Sequence, residues 1–440
     1  MGRANLRIPS LIAGLVASFA AMVGCTSGNV GGSSSGGAGS SANGGNTGMA
    51  GQTGTAGQGA SSSTGAAGQA GATGSGGAGA AGQTGGGGAT GTGGAAGAVV
   101  PPTGPCLPPT DIYSPIDKLS QTGCMDPVTL TKFVSRAVPY EVNSPLWSDG
   151  ANKSRAFVLP MGGKIHVKDC KANASECPQG AADDGKWVFP VGTVMIKNFM
   201  FDGKLVETRL FMRQSDDPMM GWVGYGYEWN EAQTEAAIAP TDRDLGKAFN
   251  TGTHTVTWNY PSRMDCLTCH DYRGGSTIGP ETAQMNRVVG AANQIDTFAS
   301  MNLFETPPAK PYKTALVVPY TGQAGTPPVG TSLDVKARSY MHANCSFCHR
   351  PQGQFPNFDL RFDTTLATAS ICNVATKKTA PTITATKIMV PGDHANSAMW
   401  QRMHSMTGDN GRMPAIGSYV PDDLGTQLVA DWIDSIATCP

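Results

Sequence analysis

The sequence predicts a multidomain chain: a disordered Gly-rich tether, then a β-sandwich-like domain, then a mainly α domain. Three observations predict it. Residues 26–98 contain no charged and no aromatic side chain, so nothing there can bury a core. Between Trp147 and Trp258, short β-branched and aromatic runs are bounded by Gly, Pro or Asp. From Ser332 onward, apolar residues recur at helical spacing. Whole-chain composition (440 residues, 59 Gly, 14% charged) therefore averages unlike parts. The formal net charge of −1 and pI near 6.6 offer no basic surface for a polyanion, and nucleic acid is excluded as a partner class.

Residues 1–24 read as an export signal, with Arg3 and Arg7 before the apolar run Leu11 to Val23, which is short for a bilayer span. Met-Val-Gly-Cys25 at its end resembles the lipobox of bacterial lipoproteins. That resemblance implies lipidation of Cys25, a membrane anchor at the N-terminus and, because Thr26 rather than Asp follows, the outer membrane. An ordinary cleaved signal with an incidental cysteine is the alternative. Residues 25–100 are then a linker; as a coil of about 70 residues its reach is roughly 45 Å.

The β-rich domain is expected over 101–262. Its predicted strands are Arg155 to Pro160, Lys164 to Lys168, Lys186 to Pro190, Gly192 to Phe199, Val206 to Met212 and His254 to Trp258. A sandwich or small barrel would use them. Residues 263–330 follow as a segment with short helices at Glu281 to Arg287 and Asn293 to Leu303 and a Pro/Gly-rich connector from Thr306. Residues 331–440 open with an amphipathic helix, Ser332 to Asn344, carrying Leu333, Ala337, Tyr340 and Met341 on one face. They close with a helix capped by Asp422 or Asp423, in which Leu424, Leu428, Trp432 and Ile436 recur every fourth residue beside Val429 and Ile433.

Two copies of one motif carry the chemistry: Cys266-Leu-Thr-Cys269-His270 and Cys345-Ser-Phe-Cys348-His349. Two thiols three residues apart can each add to a haem vinyl group, and the adjacent imidazole is then held at the iron. Two covalently attached haem c groups are therefore expected. Structural zinc would need further Cys or His at paired spacing, and a thioredoxin-like pair would need a βαβ setting; neither pattern is evident.

The helices bracketing the second motif, with Met413-Pro414 before the last of them, resemble class I cytochrome c over about residues 331–440. The resemblance implies that Met413 lies opposite His349 at the second iron, giving a low-spin centre suited to electron carriage. Met389, Met399, Met403 and Met406 are rivals. Met389 reads as strand or loop core, and the other three as one helix packed with Trp400.

Setting aside Cys25 and the four motif cysteines leaves six of 11, an even number suited to an oxidising compartment. Proximity suggests Cys106 with Cys124 and Cys170 with Cys177, which leaves Cys372 with Cys439, one set among about 15.

The stretches Tyr140 to Arg155 (YEVNSPLWSDGANKSR), Phe189 to Phe199 (FPVGTVMIKNF), Glu207 to Leu210 (ETRL), Gly226 to Asn230 (GYEWN) and Pro261-Ser-Arg263 resemble a family of exported bacterial dihaem c-type cytochromes. The resemblance covers about residues 110–440. It implies an electron-transfer protein rather than an enzyme, working in the cell envelope between a redox partner protein and the respiratory chain. It leaves open the second axial ligand of the first haem, for which Met285, His254 and His342 are candidates. Gly192 to Lys197 also resembles, faintly, the β-sheet cytochromes that oxidise hydroxylamine. The alternative function is thus a haem enzyme, open at the first iron, acting on peroxide or a small nitrogen compound. A further alternative makes the β-domain a docking module for a partner dehydrogenase, presenting Trp147, Trp187, Trp222, Tyr225, Tyr227, Trp229 and Trp258 as an aromatic face.

Overall fold

The β-branched and aromatic runs pair into one antiparallel sheet whose two faces are both buried. The computed structural model describes residues 106–109, 111, 113–178, 183–239, 248–250, 255–322, 324–378, 380–406 and 411–440. The expected signal segment, Cys25, the tether and His254 lie outside them. The strands are β1 (Val138–Pro139), β2 (Asn152–Val158), β3 (His166–Val167), β4 (Trp187–Val188), β5 (Val194–Phe201), β6 (Lys204–Arg213), β7 (Trp222–Trp229), β8 (Ala236–Ile238), β9 (Ala248–Asn250), β10 (Thr255–Thr257), β11 (Val288–Val289) and β12 (Ala292–Asn293). Six of them form the main sheet in the order β1-β2-β5-β6-β7-β8, and β3-β4, β9-β10 and β11-β12 are two-stranded ribbons.

A sandwich of two such sheets is not what forms. Alternation sends Val194, Ile196, Leu210, Met212, Val223 and Tyr225 to one face, where they pack on Leu119 and on the Cys106–Cys124 bridge. It sends Phe157, Met195, Phe211 and Trp222 to the other, where Trp187 and the helix α3 (Gln294–Ser300) cover them through Ile295 and Phe298. Loops and helices thus take the place of a second sheet. The strand β7 escapes the sequence pattern because Gly224 and Gly226 interrupt it.

The remaining helices are α1 (Arg263–Cys269), α2 (Thr282–Met285), α4 (Leu333–Asn344), α5 (Ala398–His404) and α6 (Asp423–Asp434). Ser332 caps α4 by accepting from Val335 N, and Asp422 caps α6 by accepting from Gly425 N. The two helices pack through Ala337, Tyr340 and Met341 against Leu428, Val429, Trp432 and Ile433. Leu424 was expected on that face but is exposed; one turn from the cap, Gly425 is the residue that meets Tyr340. A Cβ on Gly425 would overlap the Tyr340 ring at 2.3 Å, so only glycine allows this crossing.

Met389 is fully buried core, as its surroundings suggested, while Met399 and Met403 sit on α5 with Trp400. Met406 lies beyond the end of α5 and is exposed, so the predicted helix is shorter than expected. All three proposed disulfides form: Cys106–Cys124, Cys170–Cys177 and Cys372–Cys439. The described residues fall in one compact unit. Among the described residues no helix is long and apolar enough to cross a membrane.

Candidate functional site: two Cys-x-x-Cys-His motifs and a cavity

The first motif sits on α1, a helix that the sequence pattern missed. Ser262 and Asp265 form a capping box: the Ser262 side chain accepts from Asp265 N, and the Asp265 carboxylate accepts from Ser262 N at 2.9 Å. The signal was legible as Ser-x-x-Asp before the motif, but the helix is only seven residues long. It lies against β7 at Gly224, where a Cβ would come within 2.6 Å of Cys266 Sγ. The glycine is what lets the thiol approach the sheet.

After Cys269 the chain turns back on itself. The Asp271 carboxylate accepts from Arg273 N and Gly274 N, and Ser276 comes round so that its carbonyl accepts from His270 Nδ1 at 2.6 Å. That bond puts the proton on Nδ1 and leaves the Nε2 lone pair available, the arrangement a metal-ligating histidine uses. Burial, with Lys197 adding to it, holds the ring down to about 3, so it is neutral at physiological pH. The ring packs on Phe211 with centroids 4.4 Å apart.

The second motif begins at the C-cap of α4. Ser346 Oγ donates to His342 O, Leu360 N donates to His349 O at 3.0 Å, and the His349 ring stacks on Phe358 at 4.3 Å and 12°. Burial holds His349 down to about 4, with Arg402 contributing. Its Nδ1 is buried and makes no hydrogen bond among the described residues. The Met413 N–H donates to the carbonyl of Arg402 at 2.9 Å.

The four motif cysteines are reduced. Burial pushes their thiols up, to about 11 for Cys266 and Cys348 and about 12 for Cys269 and Cys345. That direction is the reverse of the lowered value on which a thioredoxin-like dithiol depends. Among the described residues no three or more His, Cys, Asp or Glu converge as a metal-holding group.

The two motifs abut. A Cβ built on Gly274 would be 3.3 Å from the carbonyl oxygens of both Cys269 and Phe347, and Arg350 Nη1 donates to Arg273 O at 3.4 Å. A charge on Cys348 is felt at Cys269, where it raises the thiol further.

Beside His270 lies a cavity of about 380 Å³. Tyr140, Val142, Ser144, Leu146 and Ser148 line it, and the residues between them do not. Of those, Asn143 donates to Ala283 O and Asn286 O, and Trp147 Nε1 donates to Val420 O. Asp149, at the end of the segment, accepts from Tyr419 N and Val420 N. The sheet supplies the floor. In register across β2, β5 and β6, Arg155 pairs with Lys197 and Lys197 with Arg209, so three cations cross one sheet face into the cavity. Lys197, whose ordinary role would be a solvated strand residue, is half-buried here. Burial, with Arg155 and Arg209, pushes it down to about 7.

No protein-family profile, curated protein or solved structure matches this chain.

Of the residues expected as a further ligand beside the first motif, Met285 is fully buried in the core, accepts from Gln294 Nε2 at 3.7 Å through its sulfur, and does not line the cavity. His342 has both ring nitrogens engaged: Nδ1 accepts from Phe362 N at 2.9 Å and Nε2 donates to Glu281 at 2.7 Å. The supposed aromatic face is core. Trp187, Trp222, Tyr225, Tyr227, Trp229 and Trp258 are buried and Trp147 is half-buried, because a sheet covered on both sides turns its rings inward.

Proposed function

We propose that the chain is a dihaem c-type cytochrome that carries electrons to or from a redox partner protein in the cell envelope. One observation carries the reading: two Cys-x-x-Cys-His motifs, each with thiols outside the disulfides and a half-buried imidazole that burial keeps neutral, meet across Gly274. Covalently bound haem supplies a reversible one-electron couple at its iron. Cys266 and Cys269 would hold one haem and Cys345 and Cys348 the other. His270 and His349 would each offer Nε2 to an iron, and Ser276 fixes the tautomer of the first. Residues 331–440 would serve as a class I cytochrome c-like domain in which Met413 closes the second iron. Lipidation at Cys25 would anchor the protein, on the outer-membrane side.

A test follows from stoichiometry. Expressed with c-type haem attachment in an exported form, the protein should carry two covalent haems per chain by pyridine haemochrome; Cys266→Ala with Cys269→Ala should leave one. A wild-type chain with no covalent haem sinks the proposal. Met413→Ala should remove the low-spin methionine signature from the second haem alone.

A second reading, a haem enzyme acting on peroxide or a small nitrogen compound, is favoured by the fact that neither Met285 nor His342 lines the cavity beside His270. Carbon monoxide added to the reduced protein distinguishes the two. An unchanged spectrum means two closed irons, and a shift in half of the haem signal means an open first site.

A further inference from the structure

We infer that Arg155 and Lys197 receive the two propionate carboxylates of the haem held by Cys266, Cys269 and His270. The inference rests on haem attachment at the first motif.

The sheet face that floors the cavity carries Arg155, Lys197 and Arg209 in one row. Arg209 is already committed: its Nε and Nη2 donate to the two oxygens of Glu207, each at 2.8 Å, and Glu207 is fully buried. The other two cations are not neutralised. Arg155 is 8% exposed, and its guanidinium makes no hydrogen bond among the described residues; its one ion pair there, to Glu141, is 3.9 Å long. Lys197 has no hydrogen bond or ion pair among the described residues and only the face of the Phe199 ring at 5.2 Å. The carboxylates that line the cavity are spent elsewhere, Asp149 on two backbone N–H groups and Asp265 on the cap of α1.

A buried guanidinium whose one ion pair is 3.9 Å long and a lysine with no ion pair among the described residues leave a desolvation cost that two carboxylates would offset, and a guanidinium suits a carboxylate by its forked geometry. A third donor points the same way. Ser144 lines the cavity, and its Oγ is buried with no hydrogen-bond partner among the described residues. The ligand chemistry is anionic oxygen. Propionates satisfy it with the right number of charges at a site where the thiols and imidazole already fix the macrocycle.

Arg155→Gln, Lys197→Gln and Arg155→Lys in the full, haem-loaded chain test this. Removing a cation beside the haem should lower the first haem's midpoint potential, since positive charge favours the reduced state. Both glutamine variants should show that drop with two haems retained, Arg155→Lys should recover most of it, and the second haem should not move. Unchanged potentials in both glutamine variants would overturn the inference; if Arg155→Gln does not fold, Lys197→Gln decides alone. A conversion of the first haem to high spin in Lys197→Gln would make the lysine an iron ligand and overturn it as well. Nitrite and acetate are the remaining arm: they should leave the wild-type spectrum unchanged. A saturable change, lost in both glutamine variants, would assign the cations to a free anion instead. Absence of covalent haem at Cys266 and Cys269 in the wild type would remove the underlying reading, and this inference with it.

Discussion

Gly274 touches Phe347 so closely that a methyl group added to it would lie 3.3 Å from the Phe347 carbonyl oxygen and 3.4 Å from its Cβ. The contact joins the loop after the first motif to the interior of the second. Gly274→Val must push the two apart, because backbone atoms stand on both sides. The expected loss is about 1–3 kcal/mol of stability, read as a shifted denaturant midpoint, with Gly274→Ala losing less. Equal midpoints for Gly274→Val and wild type would contradict the close packing of the motifs.

Gly224 has the same relation to the first motif alone. An alanine there would bring Cβ to 2.6 Å from Cys266 Sγ and 3.0 Å from its Cβ, and the short cysteine side chain has little room to swing. Gly224→Ala should reduce covalent haem at the first motif and leave the second loaded. Haem-stained peptide mapping reads the two separately.

Glu281 sets a pH limit. Burial would raise its carboxyl, but the hydrogen bond from His342 Nε2 and the charges of Lys313 and Lys186 outweigh that and hold it at about 2 against an ordinary 4.5. A group with a depressed folded value takes its proton first in the unfolded chain. Its contribution is therefore complete above about pH 4.5 and is lost as pH falls from there to about 2. Between those limits Glu281→Gln should show a shallower decline of stability than wild type. Parallel curves would mean that the pair with His342 does not stabilise the fold.

The bridge from Cys372 to Cys439 spans 67 residues and ties the segment after α6 to the loop before α5. Closing a loop of that length restricts the unfolded chain by an amount worth about 4 kcal/mol. Replacing both cysteines by serine should cost stability of that order, measured by denaturation without reductant, with little effect on either motif.

The cysteine pairings and the caps of α4 and α6 were legible in the sequence because each rests on local chemistry: thiol count and spacing, or a side chain meeting a nearby N–H. The strand β7 was not, since Gly224 and Gly226 are in it for what lies above them, Cys266 and Glu207, which belong to other elements. The cavity was hidden for the same reason. Lys197 read alone is an exposed strand lysine; only the pairing of β2, β5 and β6 aligns it with Arg155 and Arg209. Parts of four of the five stretches that carry the resemblance line that one cavity: alternate residues from Tyr140 to Ser148, Met195 to Lys197, Arg209 with Leu210, and Pro261 with Ser262.

Six cysteines joined in three bridges and four left reduced impose an order of events on synthesis. Both short-range bridges can close as soon as their neighbours are made, and so can a wrong bridge within either Cys-x-x-Cys pair. The longest bridge has to wait for Cys439, by which time residues 266–349 already exist. Its closure at Cys439 then ties the segment after α6 back to Cys372, after the two short-range bridges.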